Sequence, residues 1–214
     1  GIGASAGGLE AFTVLFKHLQ PNLGMAYVLV PHLDPQRESA MDQILARATS
    51  MPVVEVENHM QVRPDHVYVI PPNCEMSIAG TRLQISDREQ PRPVNATIDI
   101  FFRSLAAERG PNAIGVILSG TASDGTFGLT AIKGEGGITF AQDTRTAKYD
   151  SMPASAIAAG CVDFILSPEA IAGELARIRV HPYVAGSSLP QANGEEGSAD
   201  AGMSEIFRLL RRAT

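Results

Sequence analysis

The sequence predicts an α/β fold, in which a doubly wound and mostly parallel sheet carries helices on both faces. Two continuous apolar runs, 26–30 and 113–118, are typical of strands that are covered on both sides. Stretches with apolar residues at three- and four-residue spacing alternate with these runs and indicate helices. We therefore expect a single domain with its ligand site beyond the carboxyl ends of the strands.

The helices are predicted from one-sided apolar patterns. The first spans 9–19, because Leu9, Phe12, Leu15, Phe16 and Leu19 form one stripe. Ser167 and Pro168 suit the N-cap and first turn of the last helix. The remaining predicted helices span 39–48, 98–108, 126–133, 155–159 and 168–180.

Residues 52–88 have a different pattern, with short strand-like runs and few helical features. Ala79-Gly80-Thr81 separates the last two runs as a turn, which predicts a small β-hairpin with one solvated face. The four predicted strands are 52–56, 66–70, 76–78 and 82–85.

Composition excludes several classes of protein. The 214 residues are 44% hydrophobic and 19% charged, enough to bury a core, which excludes a disordered or fibrous chain. Seventeen Lys and Arg residues against 23 Asp and Glu give a net charge of −6, which disfavours nucleic-acid binding. No apolar run approaches the roughly 18 residues of a membrane span, and no signal peptide is visible. We expect a cytoplasmic protein.

Cysteine usage predicts neither a structural metal site nor a disulfide framework. Cys74 and Cys161 are the only cysteines, and neither lies in a CxxC or Cys/His pattern. Unpaired cysteines suit a reducing compartment. We expect no metal and no cofactor.

The glycine-rich opening admits two interpretations. Gly1-x-Gly3-x-x-Ala6 fits a dinucleotide fingerprint, but the second strand ends without the acidic residue that would hold a ribose. Alternatively, Gly3-x-Ser5-x-Gly7 has the form of a nucleophile elbow. In that case Ser5 is a nucleophile, and backbone N–H groups at the following helix could hold an oxyanion.

A histidine and an aspartate suit a serine nucleophile. His32 follows the strand at 26–30, and Asp124 follows the strand at 113–118, so both lie at the sheet edge that carries Ser5. Each also has an ordinary interpretation: Ser5 as an N-cap, His32 as a loop histidine and Asp124 as a turn or cap residue. Placement alone leaves both interpretations open.

Five separated segments together resemble one known family. They are Gly3-Ala4-Ser5-Ala6-Gly7-Gly8, Pro31-His32-Leu33-Asp34, Leu118-Ser119-Gly120-Thr121-Ala122-Ser123-Asp124-Gly125, Ala141-Gln142-Asp143 and Met152-Pro153. Their order and spacing are similar to the catalytic domain of the chemotaxis protein-glutamate methylesterases, the CheB family. The resemblance covers about residues 1–182. It implies an α/β serine hydrolase that removes methyl esters from glutamates of chemoreceptor signalling helices, and in many members also deamidates glutamine.

The resemblance also implies a role for each site residue. Ser5 becomes the nucleophile, His32 the general base and acid, and Asp124 the orienting carboxylate. The backbone N–H groups of Ala6 and Thr121 become the oxyanion donors. The sequence departs from the family pattern where a threonine commonly follows the nucleophile, here Ala6, and where a methionine commonly stands, here Thr121. Glu75 stands at about the place of a common histidine.

These departures resemble a subgroup in which the esterase is fused upstream of a chemotaxis methyltransferase. We expect a catalytic domain over 1–182, a flexible linker over 183–202 and the first helix of a methyltransferase-like domain over 203–214. We expect no receiver domain directly before the esterase, because Gly1 falls inside the expected first strand. The expected partners are methylated receptor helices, and the expected location is the receptor array. The alternative is a catalytically weak receptor-binding or regulatory module.

Overall fold

A computed structural model describes residues 1–32, 41–88 and 96–180, apart from the side chains of 179 and 180. The strands are β1 (Ile2–Ala4), β2 (Tyr27–Pro31), β3 (Val53–Glu55), β4 (Met60–Gln61), β5 (Val67–Val69), β6 (Cys74–Ala79), β7 (Arg82–Asp87), β8 (Ile114–Ile117), β9 (Ile138–Gln142) and β10 (Phe164–Leu166). The helices are α1 (Gly8–His18), α2 (Met41–Leu45), α3 (Thr97–Arg109), α4 (Thr126–Gly134), α5 (Ser151–Ala158) and α6 (Pro168–Val180), with a short 3₁₀ turn at Gly110–Asn112.

Seven parallel strands form the central sheet in the order β10-β9-β8-β1-β2-β5-β3. The chain moves from β1 to β2 on one side, and β8 later pairs with β1 on the other side. The order therefore reverses between β1 and β8. In open α/β sheets this reversal opens a crevice beyond the carboxyl ends of the strands.

Two hydrophobic cores lie on opposite faces of the sheet. Along β2, Tyr27 and Leu29 point into one core, while Val28 and Val30 point into the other. Because side chains alternate along a strand, each buried strand serves both cores. The first core is closed by α1, α2 and α6, and the second by α3, α4, α5 and the small sheet. The predicted α/β class, with helices on both faces, is confirmed.

The predicted hairpin is also confirmed, with an addition. Strands β6 and β7 pair antiparallel around Gly80, and β4 joins β7 as a third strand. Alternate residues of the hairpin are buried, such as Met76, Ile78 and Leu83, and this half-buried face packs on the second core. Two-residue strands such as β4 carry too little pattern to be predicted from sequence.

Most predicted helices lie where the apolar stripes placed them. The largest differences are at α5, which begins at Ser151 and not at 155, and at α2, which the structure describes only for Met41–Leu45. Ser167 caps α6 as predicted, because its Oγ accepts a hydrogen bond from the Ala170 N–H at 3.4 Å. The predicted linker over 183–202 and the following helix over 203–214 lie outside the described residues.

Within the described ranges, no helix combines the length and the apolar character that a membrane crossing requires.

Candidate active site

Ser5 lies directly beyond the carboxyl end of β1, at the switch point of the sheet. Its N–H donates to the Ser119 carbonyl oxygen at 3.0 Å, and its own carbonyl accepts from Gly8 N–H at 2.8 Å. The left-handed backbone conformation of this turn falls on Gly7, with φ 73°, and not on Ser5. The turn therefore differs from a hydrolase elbow in which the nucleophile itself is strained. Among the described residues, Ser5 Oγ has no hydrogen-bond partner.

His32 occupies the equivalent place beyond the neighbouring strand. The register pairs Ala4 with Pro31, so Ser5 and His32 each follow one member of that pair. The His32 N–H donates to the Ala4 carbonyl oxygen at 3.0 Å, which continues the ladder by one step. The side chain is 12% exposed. The imidazole is thus mostly enclosed but still open at the sheet edge.

Asp124 contacts His32 directly. Its Oδ2 lies 2.7 Å from His32 Nε2, and the Asp124 side chain is only 1% exposed. The same carboxylate accepts the N–H groups of Ile98 and Asp99, each at 3.0 Å. These N–H groups belong to the first turn of α3, so Asp124 caps that helix from outside it. Two backbone donors and the contact with His32 Nε2 fix the Asp124 carboxylate.

A second aspartate completes an exchange of caps between two helices. Asp99, in the first turn of α3, accepts the Gly128 N–H of α4 at 2.7 Å through Oδ1. Asp124 precedes α4 and caps α3, so each helix start is held by the other's aspartate. Burial raises the pKa of the Asp99 carboxyl, the Gly128 hydrogen bond opposes that rise, and the Asp124 charge adds to it.

The loop from Ser119 to Asp124 passes beneath Ser5 with little free space. A Cβ atom on Gly120 would lie 2.7 Å from Met152 Cε and 3.0 Å from Ser5 Cβ, so a larger residue there would have to displace the end of the Met152 side chain. Ala122 adopts a left-handed conformation, with φ 65°, which is unfavourable for alanine. Within the described part of the chain, the N–H groups of Ala6 and Thr121 donate to no acceptor.

The structure thus joins two predicted site residues and sets the third at the adjoining strand end. His32 and Asp124 are hydrogen-bonded, whereas Ser5 and His32 are linked through the backbone of Ala4. Sequence reasoning missed Asp99 and Ser119, whose contacts join residues far apart in the chain. The signal that the sequence offered for Ser119 was its place directly after the apolar run 113–118.

No metal-binding cluster of three or more His, Cys, Asp or Glu side chains occurs in the ranges that the structure describes.

Comparison with known proteins identifies relatives over most of the chain. A family model described as CheB methylesterase matches residues 1–175. A putative protein-glutamate methylesterase/protein-glutamine glutaminase of Leptospira interrogans is 35% identical over 80% of this chain and 89% of its own length. A protein-glutamate methylesterase/protein-glutamine glutaminase of Photorhabdus laumondii is 33% identical over 77% of this chain, which spans 48% of that relative.

The chain is also similar to part of a much larger protein and to a solved structure. An uncharacterized 104.1 kDa protein of Rhodobacter capsulatus is 46% identical over 61% of this chain, which spans 14% of that protein. The crystal structure of the Thermotoga maritima CheB methylesterase catalytic domain superposes with a TM-score of 0.75 and 26% identity. That match covers 83% of this chain and 96% of the other.

Proposed function

Because the chain belongs to the CheB methylesterase family, we propose that it hydrolyses methyl esters of glutamate side chains on chemoreceptors, with Ser5 as the nucleophile. The observation that carries this proposal is the 2.7 Å contact between His32 Nε2 and Asp124 Oδ2, at the strand end beside Ser5. An imidazole held by a buried carboxylate next to a serine is the arrangement that activates a hydroxyl.

The contact with Asp124 assigns a role to each nitrogen of His32. An ionised carboxylate only accepts hydrogen bonds, so Nε2 carries the proton in the neutral ring. Nδ1 is then unprotonated and is the nitrogen that takes the proton from Ser5 Oγ. The Ser-His-Asp proteases use the two nitrogens in the opposite sense. Asp124 holds the tautomer and stabilises the imidazolium that forms.

The reaction proceeds by acyl transfer in two balanced halves. Ser5 Oγ attacks the ester carbonyl carbon while its proton passes to His32 Nδ1. The tetrahedral intermediate collapses, and the methoxy group leaves as methanol with that proton. Water then attacks the acyl-serine ester, gives a proton to His32, and releases the glutamate carboxyl group as Ser5 regains its hydrogen.

The oxyanion of each tetrahedral intermediate requires donors, and we assign this role to the N–H groups of Ala6 and Thr121. Two observations support the assignment. Neither N–H has an acceptor among the described residues, and both flank the contact between Ser5 N–H and the Ser119 carbonyl. Removing one such donor typically slows a hydrolase by about 10²–10³-fold. Because these donors are backbone groups, they remain in place although Ala6 and Thr121 differ from the side chains common in the family at these two positions.

The same machinery extends to glutamine side chains. The relatives' names include protein-glutamine glutaminase. An amide follows the same course with ammonia in place of methanol, provided that His32 protonates the leaving nitrogen. We therefore propose amidase activity as a second reaction of this site.

We further propose that the catalytic domain, over 1–182, acts within a larger cytoplasmic protein at receptor arrays. The Rhodobacter capsulatus relative has a mass of 104.1 kDa, of which this chain spans 14%, which supports a multidomain context. The proposed neighbour is a methyltransferase domain from 203 onward, joined through the linker over 183–202. Limited proteolysis of the proposed larger protein tests this arrangement, because cleavage should fall within the linker over 183–202.

The test of the proposed function is methanol release from methylated receptor fragments. Ser5→Ala and His32→Ala should each reduce release by at least about 10³-fold. Ser86→Ala, an exposed serine on β7 outside the site, is the matched control and should match wild type. Equal release from wild type and Ser5→Ala would remove Ser5 from the mechanism.

One observation favours the alternative of a receptor-binding or regulatory module: Ser5 Oγ lacks a hydrogen bond to His32. Catalytic hydrogen bonds in ligand-free enzymes are often loose and tighten on substrate binding. Saturable binding of receptor fragments, with no methanol or ammonia formed at high protein concentration, would support the module and oppose the esterase.

A further inference from the structure

Ser119 is a buried polar residue that the mechanism above does not use. It lies just beyond β8 and is only 1% exposed. Its Oγ donates to the Ala6 carbonyl oxygen at 2.9 Å, with the Tyr149 carbonyl as a longer second acceptor at 3.3 Å. The same oxygen accepts the Tyr149 N–H at 3.0 Å. One hydroxyl therefore joins two loops of the site.

The backbone of Ser119 is held as tightly as its side chain. Its carbonyl oxygen accepts the Ser5 N–H at 3.0 Å. Its N–H donates to Gln142 Oε1 at 2.8 Å, and the Gln142 side chain is itself buried. Gln142 Nε2 is in turn fixed by Thr146 Oγ1 at 3.2 Å. A hydrogen-bonded network anchored on two buried side chains, Ser119 and Gln142, has one preferred geometry.

These contacts bracket the nucleophile. Ser119 holds the peptide before Ser5 through the Ser5 N–H and the peptide after Ala6 through the Ala6 carbonyl. The peptide between them carries the Ala6 N–H. Gly7 continues the turn at φ 73°, and a Cβ atom there would lie 2.7 Å from Ser119 Oγ. The turn and the hydroxyl are therefore fitted to each other.

We propose that Ser119 is a positioning residue, whose hydroxyl orients the Ser5 side chain and the Ala6 N–H toward the reacting carbonyl. The inference rests on the proposed function only in naming Ser5 as the nucleophile. Loss of the hydroxyl leaves the Ala6 carbonyl and the Tyr149 N–H without their partner and frees the turn to rotate. Displacement of reacting groups by about 1 Å can cost about 10²-fold in rate.

The test compares Ser119→Ala, Ser119→Cys and Ser119→Thr in the full chain. Two rates are measured: methanol release from methylated receptor fragments, and covalent inactivation of Ser5 by a small organophosphoryl fluoride. The second reaction needs the nucleophile and the oxyanion donors but no receptor binding. Ser155→Ala removes a partly exposed hydroxyl that bonds only within α5, at 2.7 Å to the Ser151 carbonyl, and is the matched control.

We expect Ser119→Ala to lower kcat and the inactivation rate by about 10²-fold with KM changed less than about threefold. Ser119→Cys, which keeps the volume but not the hydroxyl, should behave like Ser119→Ala and serves if the alanine variant does not fold. Ser119→Thr, which keeps the hydroxyl, should restore most of both rates. A folded Ala or Cys variant with wild-type inactivation kinetics would overturn the proposal.

The two proposals fail in different ways. If wild type releases no methanol yet Ser5 is phosphorylated, the esterase proposal fails, and the Ser119 variants still decide the positioning role through the inactivation rate. If wild type releases methanol and the loss in Ser119→Ala is equal in Ser119→Thr, the positioning role fails and the esterase stands.

Discussion

Replacing Asp124 by Asn should damage stability and catalysis together, because one carboxylate serves both. Oδ2 accepts from Ile98 N–H at 3.0 Å and lies 2.7 Å from His32 Nε2, while Oδ1 accepts from Asp99 N–H at 3.0 Å. An amide has a single oxygen. If that oxygen takes the Oδ2 place, the NH₂ group faces Asp99 N–H; in the other orientation it faces both Ile98 and His32.

The less damaging orientation therefore loses one buried acceptor. A buried N–H without a partner costs about 1–3 kcal/mol, so Asp124→Asn should lower the free energy of unfolding by that amount. Asp124→Ala deprives both N–H groups of their cap and should cost about 2–4 kcal/mol. In activity, both variants should lose on the order of 10⁴-fold, because each removes the negative charge that stabilises the imidazolium; replacing the corresponding aspartate by asparagine in the Ser-His-Asp proteases costs about that much.

Urea unfolding followed by circular dichroism measures the first effect, and methanol release at a temperature where every variant is folded measures the second. His32→Ala is the informative comparison, because it leaves both α3 N–H groups with their acceptor. It should lose activity like Asp124→Asn but only about 1 kcal/mol of stability. Asp124 variants within about 0.5 kcal/mol of wild type would refute the capping argument.

Three further predictions concern other parts of the molecule. Gly7→Ala should destabilise the chain by about 1–2 kcal/mol or more, since φ is 73° and the new Cβ would lie 2.7 Å from Ser119 Oγ; thermal unfolding measures this. Burial raises the pKa of the Asp99 carboxyl in the folded chain. The contribution of Asp99 to the free energy of unfolding therefore falls as the pH rises from the pKa of the unfolded state through the pKa of the folded state. The difference in unfolding free energy between wild type and Asp99→Asn should fall over that interval in pH-dependent urea titrations, and an unchanged difference would contradict it. Burial also raises the pKa of the Cys161 thiol, so Cys161 should react with an aromatic disulfide reagent far more slowly in the folded than in the urea-unfolded chain, as peptide mapping would report.

Two of the strands that the sequence predicted lie between the two cores. Runs 26–30 and 113–118 became β2 and β8, because every position there except Gly115 contacts one of the two cores. Strand β9 was not predicted, since it contains Thr139, a polar residue that is fully buried. Thr139 is accommodated only because Asp163 accepts both its N–H and its hydroxyl. No local pattern reveals such a partner.

The residues of the candidate site likewise divide into those that the sequence predicted and those that it did not. His32 and Asp124 were predictable because each follows a recognisable strand, and parallel strands end at a common edge. Ser119 and Asp99 were not identified, because their roles depend on partners distant in sequence. Ser119 Oγ binds the Ala6 carbonyl 113 residues away, and Asp99 Oδ1 binds Gly128 N–H 29 residues away. Sequence spacing predicts strand ends but not which backbone groups remain to be satisfied there.

The reciprocal capping of α3 and α4 couples fraying of the α3 N-terminus to loss of the contact between Asp124 and His32. When the first turn of α3 frays, Asp124 loses its two backbone donors, so its carboxylate is free to turn away from His32. The rate at which the Ile98 and Asp99 amide protons exchange with deuterated solvent should then report the fraction of molecules that are inactive because this turn is open. Any ligand or domain that tightens that turn would raise activity without approaching the substrate.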